Sequence, residues 1–175
     1  LAYAQRIFIL PLAVFLNPLV EISRTKFAQF QSHDGNSSLN LYYNNLLKLS
    51  LYFSVPISAL YIVFSEQIIA AMFQRGAFQA ENVIIAATCL SIYAWTIPFT
   101  SVFMINGRAC ESFQRLLWPS IFGSIGNLLL IAATYELARK FGYKGIPMAR
   151  LLIDVMYFLP FGFIAFKLFV LFRRY

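Results

Sequence analysis

Five apolar runs limit what this chain can fold into. They cover about residues 3–22, 39–64, 82–106, 119–138 and 146–171. Each is close to or above the ~20 residues an α-helix needs to cross a hydrocarbon layer. In lipid a chain must satisfy its own backbone polar groups, so such runs fold as helices. The first run continues past Glu21 as an amphipathic tail, with Phe27 and Phe30 on one face. The expected fold class is all-α: a polytopic transmembrane helix bundle of about five membrane helices. Those helices are expected over about 3–30, 39–64, 82–106, 119–138 and 146–171, within a single transmembrane unit, 1–175. Composition agrees, because only 12% of the 175 residues are charged and 60% are hydrophobic. A soluble domain carries roughly 25% charged residues. Nineteen Phe and ten Tyr suit lipid-facing and interfacial positions.

Prolines 11, 18, 56 and 98 lie inside the runs. Membrane helices tolerate them because neighbouring groups re-satisfy the freed carbonyls. Polar segments separate the runs. Residues 31–38 are rich in Ser, Asn, Asp and Gly and read as a loop. Ile68 to Phe73 is apolar but too short to span. The stretch Phe73-Gln74-Arg75-Gly76-Ala77-Phe78 then reads as a charged tight turn between aromatic anchors. Gly76 supplies the φ > 0 that a turn or helix C-cap uses, and Arg75 sits at the carbonyl end of a helix, where a cation is favoured. Both are structural or gating candidates. Gln79-Ala80-Glu81-Asn82 reads as a helix start, and Pro119 suits the first turn of the next helix. Gly123 and Gly126 allow close helix approach, and Asn127 is placed to hydrogen-bond across helices.

The charges between runs set the expected topology. If the runs alternate, segments 23–38 and 107–118 share one side with the C-terminal tail. That side holds Arg24, Lys26, Arg108, Arg115, Arg173 and Arg174, whereas the other holds Arg75, Arg139, Lys140 and Lys144. The positive-inside rule places 23–38 and 107–118 in the cytoplasm, and 65–81 and 139–145 outside. The net charge of +7 is therefore read as a topology signal and not as a nucleic-acid footprint.

Nothing in the sequence reads as an enzyme. It has no Gly-rich phosphate loop, no H-E-x-x-H and no paired carboxylates in one loop. Cys89 falls in an apolar run and Cys110 in a polar loop, with no C-x-x-C spacing and no metal-ligand cluster. His33 beside Asp34 reads as a solvated loop pair. No cofactor or metal is expected, and no coupling ion is assigned. The informative charges are those inside the runs, which are costly in lipid and therefore face protein or a cavity. Arg6 is one. Arg150 and Asp154, four residues apart, share a helix face and can pair as a packing or gating element.

Three stretches carry a likeness to a known family. Tyr3-Ala4-Gln5-Arg6-Ile7-Phe8-Ile9-Leu10-Pro11, with Pro18 and Ser23-Arg24, is similar to a Y-A-D-R-L-x-x-x-P helix. Ile68 to Phe78 is similar to an I…LF-x-R-G-x-F loop. Tyr93 and Pro98, then Pro119, then Asn127 follow the same order as in that family. The chain thus resembles the MurJ/MviN family, lipid II flippases of the MOP exporter superfamily. The resemblance implies part of the second lobe of a fourteen-helix transporter of the bacterial inner membrane, its eighth to twelfth helices, with the N-terminal lobe absent. It implies a lipid-linked saccharide as substrate, moved by alternating access, and the same orientation as the charge count, with Arg75 in the periplasm. It also places Arg6 at the position of an arginine that lines a cationic cavity and meets the pyrophosphate, a task that suits a planar guanidinium. Gln5 and Ile9 depart from the family, which often carries acidic residues there, so Arg6 is less compensated. The alternative is another superfamily member, a polysaccharide flippase or a cation-coupled exporter. An exporter would use intramembrane carboxylates, of which Asp154 alone qualifies.

Overall fold

The computed structural model describes residues 2–33, 36–73, 80–112 and 117–172. Among them no strand occurs, and every residue except Phe64 and Trp95 is helical. The first helix has three parts: α1 (Ala2–Pro11), a π-turn (Leu12–Leu16) and α2 (Asn17–His33). After it come α3 (Asn36–Val63), α4 (Ser65–Phe73), α5 (Ala80–Ala94), α6 (Thr96–Ser112), α7 (Leu117–Phe141), a 3-10 turn (Gly142–Lys144) and α8 (Gly145–Phe172). Arg75 and Gly76 lie outside the described residues.

Tyr3–Phe27 and Asn40–Val63 are each long and apolar enough to cross a membrane. A third crossing is made if α5 and α6 count as one span bent by 44°. At 25 and 28 residues, α7 and α8 also have the length of a crossing, at about 1.5 Å per residue.

The break between α5 and α6 falls inside the expected third run, and Pro98 explains it. Pro98 has no amide proton to give the carbonyl four residues earlier, that of Ala94. The Ser58 hydroxyl of α3 donates to this carbonyl oxygen at 2.7 Å. Pro11 withholds a donor from the Ile7 carbonyl in the same way, and the Tyr61 hydroxyl donates there at 3.3 Å. The π-turn follows directly, with the Asn17 amide reaching back five residues to the Leu12 carbonyl.

Helix extends into segments expected as loops. It covers 31–33 and resumes at Asn36, so only residues 34 and 35 of that stretch are undescribed, and His33 ends a helix. Residues 107–112 are helical rather than loop, and Cys110 is buried there. Their polar side chains have found partners, which removes the reason to unwind: Arg108 pairs with Glu111 one turn on, at 2.7 Å. Likewise α7 runs on to Phe141 before the 3-10 turn, with Arg139 and Lys140 at its carbonyl end, where cations are favoured.

The core has two parts. One apolar cluster joins α1, the π-turn, α4, α5 and the start of α6 to the C-terminal half of α3, and includes Ile7, Phe8, Leu16, Ile69, Leu90 and Ile97. The other joins α2 to the N-terminal part of α3 and the C-terminal half of α6, through Val20, Phe27, Leu46 and Ile105. Along α3 the second cluster ends at Leu47 and the first begins at Ile57. Buried Ser50 and Ser54 lie between those points, and Ser101 lies correspondingly on α6. Ser101 donates to the Pro98 carbonyl at 2.7 Å, and its oxygen lies within hydrogen-bond distance of the Ser54 hydroxyl, at 3.3 Å. A thin hydroxyl layer thus separates two apolar bodies.

The α7–α8 hairpin rests on glycine. Gly142 has φ +60° and makes the turn. A Cβ at Gly145 would lie 2.1 Å from the Leu137 carbonyl oxygen, so only glycine fits. Gly126 lets α7 approach α8, since a Cβ there would lie 2.8 Å from the Tyr157 ring; Gly123 has nothing within 4 Å and borders open space instead.

Candidate functional site

The sequence candidates fall in two places. The first is the exposed face of α1. Ala4 and Ile7 turn inward and are buried, while Gln5, Arg6 and Ile9 are exposed. Among the described residues Arg6 has no carboxylate partner. Its neighbour Ile7 carries the carbonyl held by Tyr61. Phe8 stacks on Tyr93 of α5, with ring centroids 5.4 Å apart. The turn that bears Arg6 is therefore anchored from behind by α3 and α5, with the guanidinium projecting from the opposite face.

The second place is a cavity of about 270 Å³ between α6, α7 and α8. Arg150, Asp154 and Asn127 line it together, with Thr100 and Asn106 of α6. Arg150 Nε donates to Asp154 Oδ2 at 3.1 Å, and Thr100 Oγ1 donates to the same oxygen at 3.1 Å. Asp154 is the more enclosed partner, its side chain 14% exposed against 41% for Arg150. Asn127 is exposed toward the cavity. Asn106 is buried and accepts a hydrogen bond from the Tyr43 hydroxyl of α3. Arg6 is not among the lining residues, so the structure does not bring it together with the Arg150–Asp154 pair.

Sequence reasoning missed several groups. Arg108 joins α6 to α2 through Glu21 at 2.6 Å while also holding Glu111. Thr100, Tyr43 and Asn106 had no sequence signal beyond being polar in apolar surroundings, and neither did Ser58 and Tyr61. The prolines were the available clue, because each implies a carbonyl in need of a donor. Cys89 is buried, with Sγ 3.9 Å from the Tyr143 carbonyl oxygen. Among the described residues no group of His, Cys, Asp and Glu is arranged to hold a metal ion.

The helix order and the placement of Arg6, Asn127, Arg150 and Asp154 can be set beside known proteins. The profile of the family described as lipid II flippase MurJ matches residues 1–173. The chain belongs to the MurJ family. Among curated relatives, the lipid II flippase MurJ of Thermosipho africanus is 26% identical over 162 residues, covering 91% of this chain and 33% of that protein. The probable lipid II flippase MurJ of Aquifex aeolicus is 28% identical over 152 residues, 86% of this chain and 29% of that protein. That of Thermotoga maritima is 27% identical over 165 residues, 94% of this chain and 33% of that protein. The chain spans about one third of the length of these MurJ relatives. No solved structure matches it.

Proposed function

We propose that this chain forms part of the second lobe of a lipid II flippase. That transporter moves a polyprenyl-pyrophosphate-linked peptidoglycan precursor across the bacterial inner membrane by alternating access between two lobes. The observation that carries the reading is the MurJ family match over residues 1–173. In this reading Arg6 meets the pyrophosphate. Support comes from its exposure on α1 and the lack of a carboxylate partner among the described residues, which leaves its donors open for phosphate oxygens. Asp154 is already engaged by Arg150 and Thr100; it serves as a packing or gating element between α6 and α8. Segments 23–38 and 107–118 face the cytoplasm, and 65–81 and 139–145 face the periplasm. The N-terminal lobe supplies the rest of the transport cavity.

The test is Arg6→Ala in the full-length protein, expressed in cells depleted of their own flippase. Growth is expected to fail while the variant still reaches the membrane in normal amount. Normal growth would remove Arg6 from the substrate path.

A further inference from the structure

Helix α3 touches both proline breaks with one turn of its own length. Ser58 and Tyr61 are three residues apart and so lie on one helix face. Each donates to the carbonyl that a proline has deprived: Ser58 to Ala94, four residues before Pro98, and Tyr61 to Ile7, four residues before Pro11. Both carbonyls belong to helices that change course nearby. Beyond Ala94 the chain bends by 44°, and beyond Pro11 it enters the π-turn. A carbonyl left open in an apolar setting is costly, so these hydroxyls do more than fill space. Ser58 is buried, and Tyr61 is packed against the cluster that holds Ile7.

We propose that the Ser58–Tyr61 turn is a clamp fixing the two breaks to each other, and that Tyr61 is the positioning residue for Arg6. Its hydroxyl holds the carbonyl of Ile7, the residue after Arg6, and so sets the rotation of the turn from which the guanidinium projects. The role given to Arg6 rests on the flippase reading above; the clamp itself rests only on the hydrogen bonds and the prolines.

The test is a double-mutant cycle in the full-length protein in detergent. Tyr61→Phe keeps the ring and removes the donor. Pro11→Ala returns an amide proton to the Ile7 carbonyl and makes the hydroxyl dispensable. Two readouts are taken: amide hydrogen exchange of the peptide covering residues 2–16, and binding of undecaprenyl pyrophosphate. Tyr61→Phe alone is expected to speed exchange and weaken binding by about threefold to tenfold, the range of one hydrogen bond. In the Pro11→Ala background the same change is expected to shift either readout by less than about twofold. The parallel pair Ser58→Ala and Pro98→Ala repeats the exchange cycle at α5. Additive exchange effects in both cycles would overturn the clamp, because lost packing is not repaired by a backbone amide. Non-additive exchange together with wild-type binding by Arg6→Ala would overturn the role of Arg6 and leave the clamp standing.

Discussion

At position 154 one carboxylate oxygen accepts from a guanidinium and a hydroxyl at once, both at 3.1 Å. The pair is only partly enclosed, so its net contribution is modest; removing one member costs more because the other is stranded. Arg150→Met is therefore expected to destabilise the full-length protein by about 1–3 kcal/mol. Adding Asp154→Leu to it is expected to recover most of that loss. Thermal unfolding in detergent checks this: the double variant melts above Arg150→Met. The spacing of four already put these two residues on one face. Thr100 was not legible, because it lies 54 positions away and reaches Asp154 only once α6 packs on α8. Larger separations, 63 and 87 positions, hid Tyr43 from Asn106 and Glu21 from Arg108.

Among the elements, the α7–α8 hairpin leaves no room for a side chain at Gly145. Its closest approach sets the Gly145 Cα against the carbonyl of Leu137, a backbone atom that cannot swing aside. Gly145→Ala is expected to cost about 1–3 kcal/mol or more through overpacking. Gly123→Ala, facing open space, is expected to be neutral or slightly stabilising from its better helix propensity. Comparing their unfolding midpoints in the full-length protein checks the contrast. The sequence suggests close helix approach at Gly123 and a loop at Gly145; the packing reverses the two, with the close contact at Gly145 and open space at Gly123. Apolar length gave the long helices correctly in kind. It missed the turn at Trp95, because a proline in a run marks a freed carbonyl but not whether the helix bends or breaks. It also ended α6 too early, since polarity reads as loop unless the partners of Arg108 are known.

At the scale of the molecule, α3 and α6 run through both apolar bodies, and the helix breaks near Pro11 and Pro98 lie within the first of them. The sidedness proposed above rests on the charge distribution and on the family resemblance. A cysteine placed at Gln74 in the full-length protein is expected to react with a membrane-impermeant thiol reagent added from outside intact cells from which the outer membrane has been stripped. Cys89 and Cys110, both buried, are expected to stay silent. Labelling of Gln74→Cys only after lysis would invert the topology.

Pro11 and Tyr61 also bear on how such a chain changes over generations. A proline gained at position 11 needs a hydroxyl on the facing helix, and a tyrosine lost at 61 is harmless only where the proline has gone too. The two positions, 50 apart in sequence, meet at one backbone oxygen, the Ile7 carbonyl that Pro11 deprives and Tyr61 serves, and are expected to change together.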